Sequence, residues 1–157
     1  MTGCGVKLKD LGLLDKLFFC SRFIGEDGSV GWRVRAIRGA TTASENSVDA
    51  IREAVTELLD ELERLNSIYP DDLISVTFSV TQDLDAIFPA AIARQRPGWD
   101  TVPLLDVQQM YVKGSLERCI RFLILVNVPV LTDVRHPYLR GAAVLRPDLG
   151  YAPVTLQ

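Results

Sequence analysis

The sequence predicts an α+β domain in which a mixed five-stranded sheet is packed by one long helix and one short helix. Three observations carry this expectation. A single stretch, Val48 to Leu65, repeats apolar residues at helical spacing. Several short runs are apolar or alternate between apolar and polar, as strands do. Their order along the chain, β-α-β-(short α)-β-β-β, lays one long helix over a sheet of mixed direction.

Val34-Arg35-Ala36-Ile37-Arg38 is the first strand, followed by Gly39-Ala40-Thr41-Thr42. Ser44 to Ser47 offers N-cap candidates, and Asp49 and Glu53 lie early in the helix, where acidic groups favour the positive end of its dipole. Val48, Ile51, Val55, Leu58, Leu59, Leu62 and Leu65 form its apolar stripe; Asn66, Ser67 and Pro70 end it. Ile74, Val76, Phe78 and Val80 alternate with Ser75, Thr77, Ser79 and Thr81, giving a second strand with one apolar face. The Ser/Thr face suits water or a subunit interface. Phe88 to Gln95 forms the short helix, stopped by Pro97-Gly98. Thr101 to Leu105 is expected as the third strand, Arg118 to Asn127 as the fourth after a loop broken by Gly114, and Ala142 to Leu145 as a short fifth.

The chain has 157 residues, enough for one domain with a real core. Residues 1–31 differ from the rest: six glycines punctuate a weak helical pattern, and no methionine falls between Met1 and Met110. They read as a disordered extension or as an early start assignment, with initiation near Val30. The regular domain occupies 32–149, and 150–157 form a flexible tail. A net charge of −3 argues against a general nucleic-acid or anionic-membrane binder. No apolar run approaches the ~20 residues of a membrane span. Cys4, Cys20 and Cys119 lack metal-like spacing and read as reduced cytoplasmic thiols. A lone His136 argues against a His-based metal site or a catalytic triad.

Arg121 is the residue out of place. It sits inside Cys119-Ile120-Arg121-Phe122-Leu123-Ile124-Leu125-Val126, on one face with Cys119, Leu123 and Leu125. A guanidinium among apolar neighbours costs several kcal/mol unless an anion meets it, and a protein carboxylate or an anionic ligand must supply that charge. The alternative is an arginine that snorkels to water from a strand end. The chain has no phosphate-cradling glycine loop, no nucleophile-base pair and no dinucleotide fingerprint. It does have arginines beside apolar or aromatic residues: Arg38, Arg94, Arg121 and Arg146, with Tyr138 close by. Such a set suits binding a small carboxylate-bearing anion and stabilising developing charge, rather than proton shuttling. Taken singly, Arg94, Arg135 and Arg146 read first as solvated surface residues.

Several blocks in order make the chain resemble the small, trimeric, mixed α/β class of chorismate mutases, which is distinct from the all-helical class. They are Arg35-Ala36-Ile37-Arg38-Gly39-Ala40-Thr41-Thr42, Thr81 to Ala90, Gly98-Trp99, Val102-Pro103-Leu104, Gly114-Ser115-Leu116 leading into Cys119-Ile120-Arg121, Val134 to Leu139, and Ala143 to Leu149. The resemblance implies a Claisen rearrangement of chorismate to prephenate in phenylalanine and tyrosine synthesis, without cofactor or metal. It implies a pseudo-barrel homotrimer with sites between subunits. By position, Arg38 would grip a substrate carboxylate, Arg121 would face the breaking ether oxygen, and Tyr138 would bond a carboxylate. Phe88, Ala90 and Arg94 would come from the adjoining subunit, and Leu145 and Arg146 would lie at the cleft mouth. The resemblance also exposes a departure. Gln109 stands where the family usually has a glutamate for the ring hydroxyl, with Asp106 three residues earlier. One expectation is that a turn brings Asp106 and Gln109 to one cleft wall, with Asp106 accepting the hydroxyl; the other is that Gln109 alone makes the contact. The competing functional reading is a catalytically weak trimeric sensor of an aromatic-pathway metabolite.

Overall fold

The computed structural model describes residues 31–149. The expected extension, Gly31 excepted, and the expected tail from 150 lie outside the described residues. Strand β1 spans Trp32–Thr42, helix α1 Val48–Asn66, β2 Leu73–Val80, helix α2 Pro89–Ala93, β3 Leu104–Gln108 and β4 Cys119–Pro129. Short 3-10 helices occupy Pro70–Asp72, Arg140–Leu145 and Pro147–Leu149. The chain divides into two compact units. The described part of the smaller is residues 31–33 with Val128–Thr132, in which the Val130 N–H donates to the Gly31 carbonyl at 2.8 Å. The described part of the larger is Val34–Asn127 with residues 133–149.

Helix α1 begins where the sequence offers an acceptor. Ser47 is extended, and its hydroxyl accepts from the Ala50 N–H at 3.2 Å. The helix ends at Ser67, which turns left-handed (φ 49°) and donates its N–H to the Glu63 carbonyl. Between these caps Ile51, Ala54, Val55, Leu58, Leu59 and Leu62 are fully or almost fully buried. They share the core with Val76 and Phe78 of β2 and Ile120, Phe122 and Ile124 of β4. Phe78 and Phe122 are paired across the two strands and meet edge to face, with ring centres 6.5 Å apart.

The strand order is β1-β4-β2-β3. Strand β2 runs antiparallel to β4 and parallel to β3. The register builds rows across the sheet. Phe122, Phe78 and Asp106 form one row on the core side. Arg121, Ser79 and Val107 form the next, on the opposite face, followed there by Leu123, Thr77 and Leu105.

The structure corrects three expectations. The third strand is Leu104–Gln108, three residues later than Thr101–Leu105. Thr101 and Val102 belong to a turn in which the Val102 N–H reaches back to the Trp99 carbonyl, and pairing starts when the Pro103 carbonyl accepts from Val76. The expected fifth strand at Ala142–Leu145 is a 3-10 helix, so the sheet has four strands among the described residues. Arg140 is left-handed (φ 47°), and the Ala142 N–H folds back onto the Leu139 carbonyl, which prevents extension. What remains of a fifth strand is a single parallel bridge between Ala40 and Tyr138. Finally, the face carrying Arg121 is not a buried apolar face. It is the Ser/Thr face of β2, with Leu123 46% exposed.

Candidate active site

The start of β4 is fixed from both sides. Arg118 is left-handed (φ 48°), a conformation that costs energy for a residue with a Cβ. Its N–H donates to Asp83 Oδ2 at 2.8 Å, and its carbonyl accepts from the Ala43 N–H at 2.9 Å. Burial alone would raise the Asp83 carboxyl, but hydrogen bonds from Thr81 and the Arg118 amide hold it below its ordinary range, as an anion. At Cys119 the N–H donates to Thr81 Oγ1 and the carbonyl accepts from the Thr81 N–H. Two residues further, Arg121 is half-buried. Its Nε is shielded from water and makes no hydrogen bond, while its guanidinium contacts Cys119. Burial pushes the Cys119 thiol up and the Arg121 charge only partly opposes this, so the thiol stays protonated.

Beside this wall runs a strap from Asp133 to Leu139. Its backbone pairs with β1: the Ala40 N–H donates to the Pro137 carbonyl at 3.0 Å and the Leu139 N–H to the Ala40 carbonyl at 2.9 Å. Helix α1 anchors it twice. The Asn66 amide brackets Arg135, donating to its carbonyl (3.1 Å) and accepting from its N–H (2.6 Å). Arg140 binds Glu57 and Glu53 at 2.6 and 2.7 Å. Tyr138, Leu145 and Leu116 pack against a buried cluster of Ala40, Cys119 and Ala142. Arg146 forms a two-pronged pair with Asp148, at 2.8 and 2.7 Å, and lies within reach of Tyr138. Arg38 is exposed on β1 and feels the Asp148 charge. A cleft of about 800 Å³ opens here, walled by Arg121, Thr42, Leu116, Gly141, Val144 and Leu145. The loop Gly114 to Glu117 also walls a smaller cavity of about 240 Å³ that contains Gln109, whose Oε1 is buried without a partner.

A second group gathers around α2. The Asp106 carboxylate accepts from the Ala90 N–H at 3.1 Å, satisfying one of the free donors of the first helical turn. Burial raises the Asp106 carboxyl, and the Ala90 bond and the nearby Arg94 charge only partly offset this. Asp106, Val107, Phe88 and Pro89 line a cleft of about 480 Å³, and Phe88 is 70% exposed. Arg96, at the end of this segment, clamps Asp60 and Glu63 of α1 at 2.8 and 2.7 Å.

Thus the structure gathers Arg38, Arg121, Tyr138, Leu145 and Arg146 on one side, with Gln109 behind a shared loop. Phe88, Ala90, Arg94 and Asp106 form the other side. Asp106 and Gln109 do not share a wall, contrary to the turn expected between them. Pairing continues through Gln108, and residues three apart on an extended chain point to opposite faces. The sequence reading missed Asp83, Thr81 and Leu116. The Thr81-Gln82-Asp83 spacing, in which a hydroxyl and a carboxylate can fold back on nearby amides, was the available signal. Among the described residues no group of three or more His, Cys, Asp or Glu is placed to hold a metal ion, and no helix is long and apolar enough to cross a membrane.

A family model for type I chorismate mutase matches residues 34–149. Chorismate mutase AroH of Bacillus subtilis (strain 168) is 40% identical over 117 residues, covering 74% of this chain and 92% of the relative. Chorismate mutase AroH of Thermus thermophilus is 48% identical over 118 residues, covering 74% and 96%. Among solved structures, a chorismate mutase from Clostridium thermocellum superposes with a TM-score of 0.65 at 44% identity, covering 70% of this chain and 98% of that one.

Proposed function

The chain belongs to the type I chorismate mutase family, and on that premise we propose that its active site is completed between neighbouring copies of the chain. It is an isomerase that rearranges chorismate to prephenate, a step of aromatic amino acid synthesis. The reaction is pericyclic: a C–O bond breaks as a C–C bond forms within one molecule. It needs no acid, base or nucleophile. It needs the substrate held in its compact conformer and positive charge where the ether oxygen becomes negative.

The observation that carries the residue assignment is Arg121. It is a fixed cation on a paired strand, with a water-shielded Nε that has no acceptor within the protomer. A substrate dianion in the cleft that Arg121 lines meets the charge of the guanidinium, and the contact strengthens as the ether bond breaks. Arg38 and Tyr138 take a carboxylate from the β1 side, and Leu145 and Arg146 form the mouth. Gln109 Oε1, buried and unpaired, accepts the ring hydroxyl. Asp106 anchors α2 through Ala90 and so aims Phe88, Ala90 and Arg94 at the next copy's cleft. A sensor could hold carboxylates without a rigid unpaired donor at position 121, so the arrangement favours catalysis.

A closed ring of three is supported by the uncovered sheet face. Leu105 is 58% exposed there and Leu123 46%, beside half-exposed Thr77 and Ser79. We assign the catalytic domain to residues 32–149 and the protein to the cytoplasm. Mixing the protein with chorismate and following loss of the diene absorbance tests the activity, and light scattering tests the assembly. A monomer mass with full activity overturns the shared site.

A further inference from the structure

The bridge between β1 and the strap contains a substitution of a side chain for a backbone group. In a parallel ladder, the two bonds around Ala40 and Tyr138 set the pattern for the next pair, Arg38 and His136. That pattern calls for the Arg38 N–H to donate to the Arg135 carbonyl. The carbonyl is instead taken by Asn66 Nδ2 at 3.1 Å. The partner bond is also closed off, because Pro137 has no N–H. The Arg38 N–H donates to the side chain of His136, at Nδ1, 3.2 Å away. The lone histidine thus continues the ladder where the backbone cannot.

We propose that His136 is a positioning residue for the reaction: its neutral imidazole fixes the backbone of Arg38, and so the place of the Arg38 guanidinium relative to Tyr138 on the same strap. This rests on the reading of Arg38 as a substrate contact. The acceptor exists only while Nδ1 carries no proton. Burial favours the neutral ring, and so do the charges that face it: Arg38 and Arg35 on β1 and Arg146 after the 3-10 helix that follows the strap. Protonation removes the acceptor and adds a like charge beside these arginines. The consequence is a substrate affinity that weakens as pH falls below the ordinary histidine value of about 6.5. The step at issue is binding, so KM moves and kcat moves little.

The test compares His136→Asn, His136→Ala and Arg38→Ala in steady-state assays with chorismate from pH 5 to 8. Asparagine places a carbonyl oxygen near the position of Nδ1 and does not titrate there. His136→Ala is expected to raise KM roughly twofold to tenfold, the span of one lost hydrogen bond, with kcat within about twofold of the parent. His136→Asn is expected to keep the parent KM at pH 7.5 and to lose the acid rise in KM. A wild-type KM for His136→Ala while Arg38→Ala is impaired overturns the positioning role alone. A wild-type KM for Arg38→Ala overturns the substrate contact and this role with it. If His136→Ala does not fold, His136→Asn decides: an acid rise in KM equal to the parent's overturns the proposal.

Discussion

The two sides of the candidate site are built on different physical principles. The Arg121 side rests on long paired strands and a strap tied to α1 at Asn66 and Arg140. The Phe88 side rests on a five-residue helix whose first turn is held by one carboxylate. On the first side a cationic nitrogen is shielded and left without an acceptor. On the second, the charge of Asp106 is met locally by the Ala90 N–H and Arg94. The Arg121 side is built on long paired strands and is left electrostatically incomplete. The Phe88 side is light, locally neutralised and carries an exposed aromatic ring.

The sharpest way to break this contrast is Arg121→Ala. Losing one preorganised donor is expected to lower kcat about 10²–10³-fold, with a smaller change in KM. Lysine at 121 restores charge but not the planar fork, so rescue is expected to be partial. A near-normal kcat in the alanine variant removes Arg121 from the chemistry. Subunit mixing comes next. Arg121→Ala and Arg94→Ala variants refolded together at equal amounts are expected to regain activity, because roughly a quarter of the sites in a random ring of three draw both sides from unmutated positions. No recovery would place both sides within one copy.

Smaller effects test the frames. Gly39→Ala is expected to destabilise the fold by about 1–3 kcal/mol in urea titration. A Cβ there would sit 2.3 Å from the Phe122 ring. Asp106→Ala is expected to cost about 1–2 kcal/mol by freeing the Ala90 amide and to leave more activity than Arg121→Ala. Asp106→Asn keeps an acceptor without a charge. Because burial raises the Asp106 carboxyl in the folded state, that state binds the proton more readily than the unfolded chain. The carboxylate's contribution to stability therefore falls as pH rises above about 4, and Asp106→Asn should gain on the parent between pH 4 and 7. A parent advantage that grows over that range would refute the sign.

What the sequence revealed depended on whether the signal was local. Helix α1 was legible because its stripe, its cap at Ser47 and its stop at Ser67 all lie within one segment. Strands β2 and β4 were legible for the same reason. The third strand slipped because pairing with β2, rather than composition, decides where it starts. Ala142–Leu145 reads as a strand from its apolar content, but the left-handed Arg140 just before it diverts the backbone. At the site, Arg121 stood out because a charge in a strand is a local anomaly. The side of the sheet it faces was not legible, since that depends on which face α1 covers. The duty of Asp106 was equally hidden, because its partner is an amide sixteen positions away.

Gly39 and Phe122 hold a further lesson. The ring occupies the space a side chain at 39 would need, and each residue immediately precedes or follows one of the two arginines assigned to the substrate, Arg38 and Arg121. An aromatic ring on the core side of the sheet therefore limits how closely the backbone beside Arg38 approaches the strand that carries Arg121. Size at 39 and size at 122 form a single trait. A lineage that enlarges one is expected to trim the other to keep this packing. Redesign of the pocket that treats its arginines alone would leave this limit on backbone approach untouched.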